Sequence, residues 1–180
     1  MFTSSPNSRV PWHEDLGFLE RTFAEQQAPL TRYAARLLGD PDRARDVVQD
    51  TFLKFMGQPR EAINGHAVEW LFTVCRHRAL DVLRKEGRMR RFEEGQVERV
   101  AAHEPRPGRE LEHAETRARV LQMIDRLPPN QQEVVRLKFQ HGMSYKQIAD
   151  VMKLTPTNVG FILHTAVKAL REQFADVGGG

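Results

Sequence analysis

Apolar positions recur at three- and four-residue steps along most of the chain, and no segment alternates apolar and polar residues as a half-buried strand would. The pattern predicts an all-α protein. A first helix is expected over Leu16 to Leu38, stopped by Gly39, with Asp40-Pro41 opening the next. In the second, from Asp42 to Phe55, Ala44, Val47, Val48, Thr51, Phe52 and Phe55 share one face and Asp46, Gln49, Asp50 and Leu53 the other. One face builds a core and the other is free for a partner. A third helix, Ala67 to Lys85, groups Leu71, Val74, Cys75, Ala79 and Val82 opposite Thr73, Arg76, His77 and Arg84.

Helical phase then breaks. Residues 88–110 are charged and include Pro105, Pro107 and Gly108, which reads as a flexible linker between two small helical domains, 16–87 and 111–175, flanked by an extension at 1–15 and a tail at 176–180. Beyond it, a helix from Glu110 to Leu127 leads through Pro128-Pro129 into one carrying Val134, Val135, Leu137 and Phe139, ended by Gly142.

Composition narrows the class. The 180 residues hold 27 Lys plus Arg against 24 Asp plus Glu, but Arg76 to Arg91 concentrates seven bases against Asp81 and Glu86, enough to meet phosphates. The single cysteine, Cys75, excludes an internal disulfide framework and a Cys-pair zinc site, and fits a reducing compartment. No apolar run reaches the roughly 18 residues of a membrane span, and Met1 to Asp15 lacks a signal-peptide pattern. The expectation is a cytoplasmic protein with no membrane insertion of its own.

The strongest local motif is SYKQIADVMKLTPTNVGFILHTAVKALRE, Ser144 to Glu172. Ser144 and Gln147 form a Ser-x-x-Gln capping box, with Tyr145, Ile148, Ala149 and Met152 expected on the buried side. Lys153-Leu154 makes a tight turn, Thr155 an N-cap, and Pro156 the first position of a second helix. This is helix-turn-helix architecture. On the second helix Val159, Ile162, Leu163, Ala166, Val167 and Leu170 face inward, leaving Thr157, Gly160, Phe161, His164, Lys168 and Arg171 outside. Such a face fits the major groove of DNA.

With these segments in view the chain resembles bacterial extracytoplasmic-function (ECF) sigma factors. The signatures are ARDVVQDTFLKF (Ala44 to Phe55), WLFTVCRHRALDVLRK (Trp70 to Lys85) and LPPNQQEVVRLKFQHGMSYKQIADVMKLTPTNV (Leu127 to Val159), in the family's order and spacing. The resemblance implies a subunit that joins core RNA polymerase, directs promoter recognition, answers to an anti-sigma factor, and needs no cofactor or catalytic site. Asp46, Gln49, Asp50 and Leu53 match the polymerase-docking surface. Asn64, Trp70, Arg76, His77, Arg84 and Lys85 match the region that engages the minus-10 element, and the loop Gly57 to Glu69 resembles the segment that captures a flipped-out base. Thr157, Asn158, Phe161, His164 and Lys168 match the minus-35 reader. Trp70 on its own reads as core before stacking platform, and Cys75 as a small core residue. His77 stands where the family usually has Asn. Gly160, Ile162 and Thr165 stand where many members carry bases, so this helix either reads a different minus-35 sequence or binds weakly; the first is preferred.

Two other classes compete. A stand-alone helix-turn-helix regulator would bind duplex DNA as a dimer and would need neither the Asp46-Gln49-Asp50 face nor the basic third helix. An enzyme is disfavoured, because the seven histidines are scattered and no nucleophile-base grouping, metal-ligand spacing or Gly-rich phosphate loop stands out.

Overall fold

The computed structural model describes residues 16–59, 62–63, 65–87 and 111–178, and among these it contains helices and no strand. The helices are α1 (Leu16–Leu38), α2 (Pro41–Met56), α3 (Ala67–Lys85), α4 (Leu111–Asp125), α5 (Pro129–Phe139), α6 (Tyr145–Met152) and α7 (Pro156–Gly178). The expected N-terminal extension and linker lie outside the described residues. The tail expected from residue 176 is helical through Gly178, since Ala175, Asp176 and Val177 carry no helix-stopping residue before the glycines.

α1, α2 and α3 form one bundle. Gly39 takes φ 68°, the left-handed setting that ends α1, and Asp40 then caps α2 by accepting hydrogen bonds from the backbone N–H groups of Asp42 and Arg43 at 3.0 and 3.2 Å. With Pro41 in its first turn, α2 is held at a fixed entry angle. Its inner face buries Ala44, Val47, Val48, Thr51, Phe52 and Phe55. Phe55 lies against Trp70 of α3 at a ring-centroid distance of 5.7 Å, so the tryptophan is a half-buried part of the core, as its sequence context predicts. Cys75 is fully buried beside Thr51, and desolvation pushes its thiol up to about 12.

α4 to α7 form the second bundle around Val134, Val135, Leu137, Ile148, Val151, Val159, Leu163 and Ala166. Gln132 fastens the α4–α5 turn by donating its side-chain amide to the carbonyls of Asp125 and Leu127 at 2.8 and 2.5 Å. Phe139, grouped with the apolar positions of α5, is instead exposed at the helix end.

The bundles are not held apart. α3 packs along α6, and the buried apolar cluster runs through both halves of the chain. This departs from the picture of two cores joined only by a linker. The reason lies in α3, which buries Phe72, Leu80 and Leu83 in addition to Leu71, Cys75 and Ala79, while Val74 and Val82 are only half-buried. A helix buried on two sides has a wider apolar surface than the single stripe read from the sequence. Phe72 bridges the halves, 5.1 Å from the Tyr33 ring of α1 and 4.5 Å from the imidazole of His141.

Candidate nucleic-acid and polymerase interfaces

Three surfaces carry the residues singled out by the sequence. On α2, Asp46, Gln49, Asp50 and Leu53 all face outward, with Leu53 56% exposed. An exposed leucine among carboxylates, followed one turn later by exposed Met56, is a mixed apolar and acidic patch suited to a protein partner. Met56 was missed because it sits at the helix end, where periodicity is least informative. Asp50 lies 3.5 Å from the guanidinium of Arg78, which places α2 and α3 side by side at this patch.

The basic α3 residues divide. Arg84 and Lys85 are exposed at the C-terminal end, with Arg84 held at 2.7 Å by Asp81 one turn back. Arg76 is covered. Its side chain is only 14% exposed and its Nε donates to Glu133 Oε1 of α5 at 2.7 Å, while Nη2 reaches Oε2 at 3.4 Å. The Tyr33 hydroxyl donates to the same Glu133 Oε1 at 2.5 Å. Burial, reinforced by the Glu133 charge, raises the Tyr33 phenol well above its ordinary range, so it remains a hydrogen-bond donor. Burial alone would lower the Arg76 value, but the Glu133 carboxylate overrides this and raises it. His77 is half-buried on the same side, and burial together with the positive charges of Lys153 and Arg76 lowers its imidazole below the usual range. Asn64 lies outside the described residues. The structure therefore brings Trp70, Arg76 and His77 onto α3 as expected but turns Arg76 and His77 toward the second bundle, with Arg84 and Lys85 left on open surface.

The helix-turn-helix is built as the sequence spells it. Ser144 accepts from the Gln147 N–H at 3.2 Å while the Gln147 side chain accepts from the Ser144 N–H at 2.9 Å, closing the capping box on α6. Lys153 takes φ 57°, ψ 48° to reverse the chain, and Thr155 Oγ1 accepts from the Asn158 N–H at 3.2 Å to start α7. With Val159, Ile162, Leu163 and Ala166 buried, Thr157, Asn158, Phe161, His164 and Lys168 stand exposed, Phe161 at 69%. Beside them an open groove is lined by Tyr145, Gly160, Leu163, His164, Val167, Lys168 and Arg171.

Tyr145 corrects an expectation. It is 42% exposed, with its ring against Gly160 and the Lys138 ammonium 5.3 Å from the ring centre. It occupies the first position of α6, where amphipathic tyrosine can cover apolar surface and still reach solvent. Gly160 is accordingly half-buried beneath it. Lys138 and Tyr145 are functional candidates that helical phase alone did not single out. No group of three or more His, Cys, Asp or Glu side chains that could hold a metal occurs among the described residues, and no described helix is long and apolar enough to cross a membrane.

Comparison with known proteins places the chain in a family. The family model for Sigma-70 region 2 matches residues 23–89, and that for Sigma-70, region 4 matches residues 117–170. The ECF RNA polymerase sigma factor SigL of Mycobacterium tuberculosis is 31% identical over 169 residues, covering 91% of this chain and 93% of the relative. The RNA polymerase sigma-E factor of Streptomyces avermitilis is 28% identical over 162 residues, 89% of this chain and 87% of the relative. The fold is shared with the sigma factor RpoE of Bartonella quintana, solved in complex with the anti-sigma factor NepR, at a TM-score of 0.64 and 23% identity over 88% of this chain and 97% of that one. Two region matches in order, and a relative matched over nearly its whole length, establish that the chain belongs to the ECF RNA polymerase sigma factors.

Proposed function

We propose that this sigma factor joins core RNA polymerase through the α2 surface formed by Asp46, Gln49, Asp50 and Leu53, and carries it to promoters that it recognises at two elements. Trp70, Arg76, His77, Arg84 and Lys85 of α3, with Asn64 in the preceding loop, engage the minus-10 element. Holding separated strands there requires cationic and aromatic side chains, which α3 supplies. Thr157, Asn158, Phe161, His164 and Lys168 of α7 read the minus-35 element in the major groove. The domain plan is a region 2 unit over 16–87 and a region 4 unit over 111–175. The protein acts in the cytoplasm, beside the polymerase, without chemistry of its own, and an anti-sigma factor restrains it.

The observation that carries this reading is the exposed row on α7. A well-capped helix-turn-helix leaves a large aromatic, Phe161, standing in solvent between hydrogen-bonding and cationic side chains, an arrangement that gains nothing for stability. Phe161 suits a thymine methyl and His164 a base edge. The test is to add the purified chain to sigma-free core polymerase with fragmented genomic DNA from its source and map RNA 5′ ends. Discrete starts sharing two upstream elements, lost when Asp46→Lys and Asp50→Lys are combined, are the expected result. Specific duplex binding by the chain alone, with no discrete starts, would establish the stand-alone regulator instead.

A further inference from the structure

We infer that the cleft between α1 and α5 is a binding site for one phosphate group, free or carried at the end of a nucleotide, with the Arg36 guanidinium as its anchor and Arg136 on the opposite wall. No residue assigned above to polymerase, minus-10 or minus-35 contacts lines this cleft, so the inference goes beyond the proposed function.

The cleft brings Tyr33, Arg36 and Leu37 of α1 together with Gln132, Glu133 and Arg136 of α5. It is half-enclosed and holds about 40 Å³, room for about three waters and hence for one tetrahedral oxyanion rather than a whole nucleotide. Most of its polar groups are already matched. Glu133 Oε1 accepts from the Tyr33 hydroxyl and from Arg76 Nε, and Oε2 accepts from Arg76 Nη2. The Gln132 amide donates to the carbonyls of Asp125 and Leu127, and Arg136 Nη2 donates to Asp125 Oδ1 at 2.5 Å.

Arg36 differs. It is half-buried, its guanidinium makes no hydrogen bond or ion pair among the described residues, and the like charges of Arg136 and Arg32 crowd it. Burial first, and the Arg136 charge next, lower it to about 10, with Asp125 opposing and Arg32 adding to the effect. Guanidinium groups gathered where little water screens them repel one another, so the arrangement costs stability unless an anion lies between them. A phosphate group supplies the charge and the geometry, since its oxygens accept side-on from planar guanidinium forks, whereas a halide offers a single point of contact.

The experiment follows the arginine Nε–Hε resonances of the full chain by NMR as inorganic phosphate or ATP is added, with sodium chloride holding the ionic strength constant. A saturable shift is expected in a resonance that Arg36→Lys removes. Calorimetric affinity for the same ligands should fall at least tenfold in Arg36→Gln and stay within about twofold in Arg45→Gln, which removes an exposed arginine of α2. Thermal melts guard against a folding defect: without phosphate, Arg36→Gln should melt at or above the native chain, because a repelling charge is gone, and added phosphate should raise only the native melting temperature. Tighter binding of ATP than of inorganic phosphate would identify a nucleotide-borne group, and equal or weaker binding the free ion. Shifts that chloride alone reproduces, or an undiminished affinity in Arg36→Gln, overturn the inference. So does a clearly lower melting temperature of Arg36→Gln without phosphate, which would show that the protein itself satisfies this guanidinium.

Discussion

The imidazole of His141 stacks on Phe72 of α3 with ring centroids 4.5 Å apart, so a titratable ring forms part of the seam between the two bundles. Burial, and then the positive charges of Arg32 and Arg36 from α1 and Arg136 from α5, lower His141 to about 4 from 6.5. Folding thus favours the neutral ring. Its stabilising contribution is complete above pH about 6.5 and is lost as pH falls toward 4. Thermal melts at pH 7.5 and 5.0 should show lower stability in acid, and His141→Phe, which keeps a ring against Phe72, should reduce the difference. An unchanged pH dependence in that variant would place the titrating group elsewhere.

Glu69 works in the opposite direction. Partial burial, the charge of Asp150 and a hydrogen bond with it raise its carboxyl above 4.5. A raised folded-state value contributes stability at low pH that is lost as pH rises through it, so at neutral pH the pair is a liability. Glu69→Gln should therefore raise the melting temperature slightly at pH 7.5 and leave it nearly unchanged near pH 4. The effect is small because the site is near solvent.

Buried Cys75 gives a sharper test of the core. With its thiol pushed up to about 12 and no exposed surface, it should resist a thiol-specific reagent at pH 8 in native buffer and react fully in denaturant. Phe55→Ala, which opens a cavity beside Trp70 and Phe52, should cost about 3–5 kcal/mol in urea unfolding and bring Cys75 labelling into native conditions.

What the sequence made legible was whatever local physics decides. The Asp40 cap, the Ser144–Gln147 box, the Lys153 turn and the Thr155 start each depend on residues a few positions apart, and each was readable from residue type and spacing. The outward faces of α2 and α7 followed from 3.6-residue periodicity for the same reason. The seam did not. Arg76 and Glu133 are 57 positions apart and Tyr33 and Glu133 are 100 apart, so nothing local pairs them. A basic residue opposite an apolar stripe reads as solvent-facing until a second bundle supplies a carboxylate. Tyr145 was misplaced because an amphipathic ring satisfies either side of a helix.

Ser144→Ala removes the acceptor for the Gln147 N–H and one half of the capping box. It should cost about 1 kcal/mol of stability, read by urea unfolding. Because α6 supports α7, affinity for a minus-35 duplex should fall with little change in sequence preference. A changed preference would mean that α6 itself contacts bases.

The exposed row of α7 separates affinity from specificity. Lys168 is exposed, and its Nζ lies 4.0 Å from Glu172, a weak surface pair that leaves the ammonium available to phosphate. Lys168→Ala should weaken binding to all promoters similarly and reduce the slope of log affinity against log salt by about 1. His164 lies on the same face, nearer the N-terminal half of the helix, the part proposed to enter the groove, where an imidazole can hydrogen-bond a base edge. His164→Ala should cost roughly 1–3 kcal/mol on the preferred promoter and much less on one altered at the contacted base pair. Measuring both variants against a panel of single-base minus-35 duplexes distinguishes the roles. A uniform loss for His164→Ala across the panel would show that it, too, meets only the backbone.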